Sequence, residues 1–291
     1  MDFVLTLVAP RASASLSPAL LARVRDAVRG GAPVTLADGE AADIPCPAAP
    51  DMPSVRAALE GAPVDALPVR AAGRRKALLV ADMDSTIVTG ETLDELADFA
   101  GLKAEIAAIT ARAMNGELDF PAALRARVGM LRGLPLSALD ATWNRVALTP
   151  GARALVATMR AHGADTTLVS GGFTFFTERV AALTGFDRQR ANILLDDGRT
   201  LTGAVAEPIV GRDAKLDTLL ARAAALGVGP DAAAAIGDGA NDLAMLREAG
   251  LGVAFRAKPV VAAEVAARID HTDLRALLFA QGYTSREIRD D

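Results

Sequence analysis

The sequence predicts an α/β protein: a doubly wound parallel sheet, a small inserted four-helix cap, and a small α/β appendage ahead of both. Three observations carry this. Short apolar runs alternate with helical segments after Pro150-Gly151. An earlier apolar run, Lys76-Ala-Leu-Leu-Val80, ends in the polar string Asp82-Met-Asp-Ser-Thr86. Directly after that run, a purely helical stretch interrupts the alternation.

In chain order, residues 3–9 read as a strand, 16–29 as a helix through Leu16, Leu20, Leu21 and Val24, and 34–37 as a second strand. Four prolines at 45, 47, 50 and 53 are expected to break any regular element there. Residues 1–75 thus read as an appendage ending in a linker through Arg74, Arg75 and Lys76. A structural or dimerising add-on and a regulatory ligand-binding module are both open for it. The catalytic core is assigned to 76–90 plus 146–291, and the cap to 91–145.

Within the cap, Leu93, Leu96, Ala97 and Ala100 share a face that stops at Gly101. Ile106, Ile109 and Ala113 follow, closed by Asn115-Gly116. Pro121 and Pro135 each suit a helix start. Beyond Pro150-Gly151 come a helix at 152–162, a strand at 165–169 and Ser170-Gly171-Gly172. A helix at 174–184, a weak hairpin at 192–206 and a helix beginning at Lys215 continue the pattern. The alanine-rich run 232–236 is read as a strand because Gly237-Asp238-Gly239 breaks it before a helix over 242–249. A strand at 252–255 and helices at 259–268 and 273–281 complete the chain.

Composition bounds the function. The chain has 291 residues, enough for a full core and a second unit, and is 51% hydrophobic but only 4% aromatic. A formal net charge of -5 argues against nucleic acid or an anionic membrane as partner. The single cysteine, Cys46, permits no internal disulfide. Neither a signal peptide nor an apolar span near 18 residues is read, and a cytoplasmic protein is expected.

Chemistry-bearing residues recur at strand ends. Asp82 and Asp84, two apart on extended backbone, crowd like charges that a divalent cation relieves; oxygen-only ligands suit Mg²⁺. Taken singly, each feature has a plainer meaning: a turn at Asp82, an N-cap at Ser170, a solvated Lys215, a helix cap at Asp238 to Asp242. Taken together they suit a phosphate. The Ser170 hydroxyl and backbone amides at Gly171 and Gly172 supply donors, and Lys215 supplies a point charge. Carboxylates facing phosphate require a metal, held by Asp82, Asp238 and the Asp84 carbonyl, with Asp242 behind a metal-bound water. Asp82 is then the nucleophile that forms an aspartyl-phosphate, and Asp84 the general acid and base.

Asp82-Met-Asp-Ser-Thr86, Ser170-Gly-Gly172, Lys215 and Gly237-Asp-Gly-Ala-Asn-Asp242 resemble, in order, the four motifs of the haloacid dehalogenase-like (HAD) phosphotransferases. The resemblance covers residues 76–283, implies a Rossmann-like core, and is nearest to members that hydrolyse O-phospho-L-serine to L-serine and phosphate, the last step of serine synthesis. It implies that Glu91, Met114, Phe120 and Arg127 read the amino-acid end of the substrate, while Asn241 helps to hold the phosphate. Charge agrees: Glu91 can accept from an ammonium and Arg127 can clamp a carboxylate. The segment before residue 76 departs from the longer ACT-like regulatory modules of many bacterial members. His162 and His271 match no catalytic position. A phosphotransferase acting on another amino-acid alcohol is a neighbouring reading. An aspartate-phosphorylated receiver module is another, but it has no use for the helical insert or the second acid at Asp84.

Overall fold

A computed structural model describes residues 1–13, 15–114 and 119–289, with the backbone course alone for 111–114. The chain begins with β1 (Phe3–Val8), α1 (Pro18–Ala27), β2 (Val34–Ala37), β3 (Ala41–Cys46), α2 (Met52–Leu59) and β4 (Asp65–Arg70). These strands form an antiparallel sheet in the order β2-β3-β1-β4. Both helices pack on one face, where Leu5, Leu7, Ala42 and Ile44 meet Leu20, Val24, Val55 and Leu59.

The proline run does not break this unit, contrary to the sequence expectation. Pro45 lies in β3 beyond the last β2 pairing, Val34 with Asp43, so its missing N–H costs that ladder no bond. Pro53 sits in the first turn of α2, where a free N–H would be unpaired anyway, and Asp51 caps that turn by accepting from Ser54 N–H at 3.0 Å.

The core starts at β5 (Leu78–Asp82). After it come α3 (Thr92–Phe99), α4 (Lys103–Met114), α5 (Phe120–Gly129) and α6 (Ser137–Trp143), the four helices of the insert. The proposed stop at Asn115-Gly116 lies outside the described residues. The alternation resumes with α7 (Ala152–Ala161), β6 (Asp165–Phe173), α8 (Thr174–Thr184), β7 (Arg188–Asn192) and the hairpin β8 (Leu194–Asp196) with β9 (Leu201–Val205). It ends with α9 (Ala214–Ala225), β10 (Ala233–Gly237), α10 (Leu243–Glu248), β11 (Leu251–Phe255), α11 (Pro259–Ala262), β12 (Arg268–Ile269) and α12 (Ala276–Ala280).

The core sheet is parallel throughout, in the order β12-β11-β10-β5-β6-β7. Alternate residues of β5 serve opposite layers: Leu78 and Val80 pack with Leu219, Met245 and Leu246, while Leu79 and Ala81 pack with Leu155, Leu277 and Phe279. This is a doubly wound sheet. The chain leaves β5 toward β6 on one side and returns to β10 on the other, so the crevice at the end of β5 is the topological switch point.

Two expectations for the core need correction. The helix read over 259–268 stops at Ala262, because residues 268–269 are recruited as an edge strand against Ala254 and Phe255; ladder pairing outweighs the helix propensity of the alanine-rich run. The strand read as 165–169 runs on to Phe173, with an irregular register against β7 where Ser170 and its glycines fall. Among the described residues, no helix is long and apolar enough to cross a membrane.

The second face of the N-terminal sheet rests on the core, so residues 74–76 fasten rather than link. Arg74 pairs with Asp43 at 2.6 Å and donates to the carbonyls of Phe279 and Ala280 at the end of α12, at 3.2 and 3.0 Å. Lys76 is buried and donates to the Asp231 carbonyl at 2.7 Å.

Candidate active site

The end of β5 delivers Asp82 into the crevice, and β10 on one side and β6 on the other deliver Asp238 and Ser170. After Asp82 the chain turns sharply: Asp84 stays extended (φ -66°, ψ 138°) and Ser85 takes a left-handed conformation (φ 54°, ψ 6°). The sequence argument put Asp82 and Asp84 on one straight strand. They do sense each other's charge, but across a turn rather than along a pleat.

Lys215, in the first turn of α9, is almost wholly buried and bridges two acids. Its Nζ lies 2.7 Å from Asp82 Oδ1 and 2.5 Å from Asp242 Oδ1. Asp82 Oδ1 also accepts from Met83 N–H at 2.8 Å, and Asp242 Oδ2 accepts from Gly239 N–H at 2.9 Å. Gly237 is obligatory here, because a Cβ at that position would collide with the Asp242 carboxyl group. Asp238 follows directly, with the exposed Lys258 ammonium 3.7 Å from its Oδ2.

One carboxylate oxygen from each of Asp82, Asp238 and Asp242 lies within 4.8 Å of the others, and all three residues are buried. Three converging hard oxygen donors suit Mg²⁺. The Asp84 carboxylate is not in that group. Its Oδ1 accepts from Thr92 N–H at 2.8 Å and its Oδ2 from the Ser170 hydroxyl at 3.1 Å, while Ser170 Oγ accepts from Gly172 N–H at 2.9 Å. A Cβ on Gly172 would lie 3.1 Å from both Asp84 Oδ2 and Ser170 Oγ, so the glycine lets these groups close up.

The cluster is electrostatically crowded. Burial pushes the Asp82 carboxyl well up, Asp242 adds repulsion, and the Lys215 ammonium only partly offsets them. Burial likewise raises Asp238 against the pull of Lys258. Asp84 rises to about 6 through burial and the nearby Glu91 charge, moderated by the bonds from Thr92 and Ser170. For Lys215, burial acts to lower its pKa, but the Asp82 and Asp242 carboxylates prevail and raise it.

The insert closes over this crevice. Glu91 Oε1 accepts from the Ser85 hydroxyl at 2.7 Å. The Phe120 ring lies so near Gly171 that a Cβ there would be 3.2 Å from its Cζ. Arg127 is half-buried, donates to the Ala123 carbonyl at 3.3 Å, and feels the charges of Asp94 and Glu91. The Met114 side chain lies outside the described residues. Asn241 is half-buried in the Gly237 to Asp242 loop, its Oδ1 backing onto Gly239. Sequence reasoning missed three contributors. Thr92 acts through its backbone, which no side-chain motif reveals. Ser85 acts through a hydroxyl whose partner, Glu91, is reached only because the chain turns after Asp84, which a straight strand does not reveal. Lys258 follows the end of β11, and the strand-end pattern could have found it.

Residues 79–247 match the family model for haloacid dehalogenase-like hydrolases. The chain belongs to that family. Among curated relatives, the phosphoserine phosphatase of Streptomyces coelicolor is 45% identical over 216 residues, 74% of this chain and 52% of that protein. The chain thus spans about half the length of that relative. The phosphoserine phosphatase of a Polaromonas species is 44% identical over 207 residues, 69% of this chain and 88% of that one. A HAD family hydrolase of Salmonella enterica serovar Typhi superposes with TM-score 0.84 at 30% identity, covering 96% of this chain and 98% of its own. A phospho-aspartyl intermediate analogue of phosphoserine phosphatase superposes with TM-score 0.64 at 37% identity, covering 70% and 98%. The HAD core and the antiparallel unit before it are therefore both found in solved relatives.

Proposed function

We propose that the chain is a Mg²⁺-dependent phosphoserine phosphatase working through an aspartyl-phosphate on Asp82. The observation that carries this reading is the convergence of three buried carboxylates and Lys215 at one strand-end crevice, beneath an insert bearing Glu91, Phe120 and Arg127. The donor set fits magnesium, with Asp82, Asp238 and Asp242 as the residues that would hold it. When bound, the ion offsets the carboxylate charge that would otherwise repel a phosphate dianion.

The chain's own residues do the rest. Ser170 Oγ, the amides of Gly171 and Gly172, Asn241 and Lys215 hold the phosphoryl oxygens. A carboxylate oxygen of Asp82 forms a bond to phosphorus as the bond from phosphorus to the serine oxygen breaks. Asp84, poised near 6, gives its proton to that departing oxygen. It then takes a proton from the water that attacks the phosphoaspartate, releasing phosphate and restoring both acids.

In this reading residues 91–145 select the substrate. Glu91 receives its ammonium, Arg127 its carboxylate, and Phe120 with Met114 excludes water around a one-methylene side chain. Residues 1–75 are a small α/β appendage, a degenerate form of the ACT-like modules, anchored to the core. The reaction is the final one of L-serine biosynthesis, and cytoplasmic.

Phosphate release from a panel of small phosphate esters, with and without magnesium, tests the proposal. O-phosphoserine should lead the panel, chelator should stop turnover and magnesium restore it. Arg127→Ala should raise KM for phosphoserine by about 10–100-fold, the scale of a lost charged bidentate contact, and leave esters without a carboxylate nearly unchanged. Turnover indifferent to chelation, or an equal Arg127→Ala effect on all esters, refutes it.

A further inference from the structure

Among the described residues, four that are not glycine have positive φ: Arg29, Glu60, Ser85 and Arg256. Arg29 and Glu60 end helices α1 and α2, where a left-handed residue is a common stop. Ser85 has no such excuse, since it lies inside the turn between the catalytic aspartates and the cap, where strain persists only if surrounding contacts hold it. Two contacts do so. Ser85 N–H donates to the Gly90 carbonyl at 3.1 Å, and Ser85 Oγ donates to Glu91 Oε1 at 2.7 Å. Both partners belong to the short segment that leads into α3.

Glu91 occupies the N-cap position of α3, yet its side chain makes no capping bond to that helix. Its carboxylate is turned instead toward Ser85 and the crevice, where Asp84, Asp238 and Arg127 all feel its charge. The first N–H of α3, from Thr92, is met instead by Asp84 Oδ1 at 2.8 Å, which leaves the Glu91 carboxylate to face the crevice.

We infer that Ser85 is a positioning residue for substrate selection: its hydroxyl holds one oxygen of Glu91 so that the carboxylate is preset for the substrate ammonium. The inference rests on the reading of Glu91 given above. It assigns Ser85 no contact with phosphorus and no part in proton transfer. Left-handed backbone at this position aims the hydroxyl at Glu91, which an extended Ser85 would direct elsewhere.

The test uses Ser85→Gly, because glycine keeps the left-handed backbone without strain while removing the hydroxymethyl group and with it the hydroxyl. Two substrates are compared: O-phosphoserine and 3-phosphooxypropanoate, the same molecule without the ammonium. Ser85→Gly should raise KM for phosphoserine about tenfold, the scale of one hydrogen bond to a charged group, with kcat within about threefold and KM for the deamino ester within about twofold. Ser85→Asn, which tolerates left-handed backbone and restores a donor, should recover much of the lost affinity. Equal effects of Ser85→Gly on both substrates, or none on either, overturn the assignment. Glu91→Gln separates the two levels: if it weakens phosphoserine alone while Ser85→Gly does not discriminate, only the role of Ser85 falls. If Glu91→Gln affects both esters equally, the ammonium reading falls and this inference with it.

Discussion

Two buried charged clusters sit about the core sheet, and they are built on opposite principles. At the seam with the N-terminal sheet, acids are saturated with donors. Asp65, buried at the start of β4, accepts from the N–H groups of Asp270, His271 and Thr272 at 2.8, 3.0 and 2.9 Å, and from the Thr272 hydroxyl at 2.5 Å. Asp43 takes two bonds from Arg74 and one from Thr6 Oγ1. At the end of β5, by contrast, Asp82, Asp84, Asp238 and Asp242 share a crevice in which, among the described residues, Lys215 is the buried cation. Burial without full compensation raises three of those acids. A satisfied cluster fastens parts together; an under-compensated one stores a demand for positive charge, which a divalent cation would meet.

Asp82→Asn should break the comparison on the catalytic side most severely. Loss of the proposed nucleophile should cut kcat by at least about 10³-fold. The same change removes one of the mutually repelling carboxylates, so thermal unfolding in chelator should show no loss of stability. Asp65→Ala should do the reverse. It leaves three backbone N–H groups and a hydroxyl in a buried seam without their acceptor, at a cost of about 3 kcal/mol in chemical denaturation. The kcat of the folded fraction should stay within about twofold. A large kcat loss in Asp65→Ala would mean that the seam and the site are not separate in function.

The sequence showed the catalytic cluster more clearly than the seam, and for a physical reason. Asp82, Ser170 and Asp238 each follow or end an apolar run, so periodicity alone marks those strand ends, while Lys215 opens a helix. The seam leaves no such mark. Asp65 and Arg74 find their partners more than 200 residues away, at 270–272 and 279–280, and are ordinary surface residues by type. The same holds for β3 and α2: prolines that break an element in isolation are absorbed at a ladder's end and in a helix's first turn. Arg268 and Ile269 show the converse, a helical stretch drawn into a strand by the sheet edge beside it.

The smallest effect sharpens the contrast through pH. Asp84 has its carboxyl raised from an ordinary 3.8 to about 6, chiefly by burial and then by Glu91. The folded protein therefore holds this proton more tightly than the unfolded chain does, and ionising it costs stability. That cost is absent below about pH 4, grows as pH rises through the interval from 3.8 to about 6, and is complete above it. Asparagine cannot ionise and can still accept at Oδ1 from Thr92 N–H. Asp84→Asn, measured without metal, should thus be more stable than the parent at pH 7.5 by about 1–2 kcal/mol, the full shift being screened because the side chain is only part-buried. In thermal unfolding this is a gain of about 2–5 °C that vanishes toward pH 4. A gain that persisted unchanged at pH 4 would place its origin in packing rather than charge, and a loss at pH 7.5 would make Asp84 a fastening residue of the seam's kind.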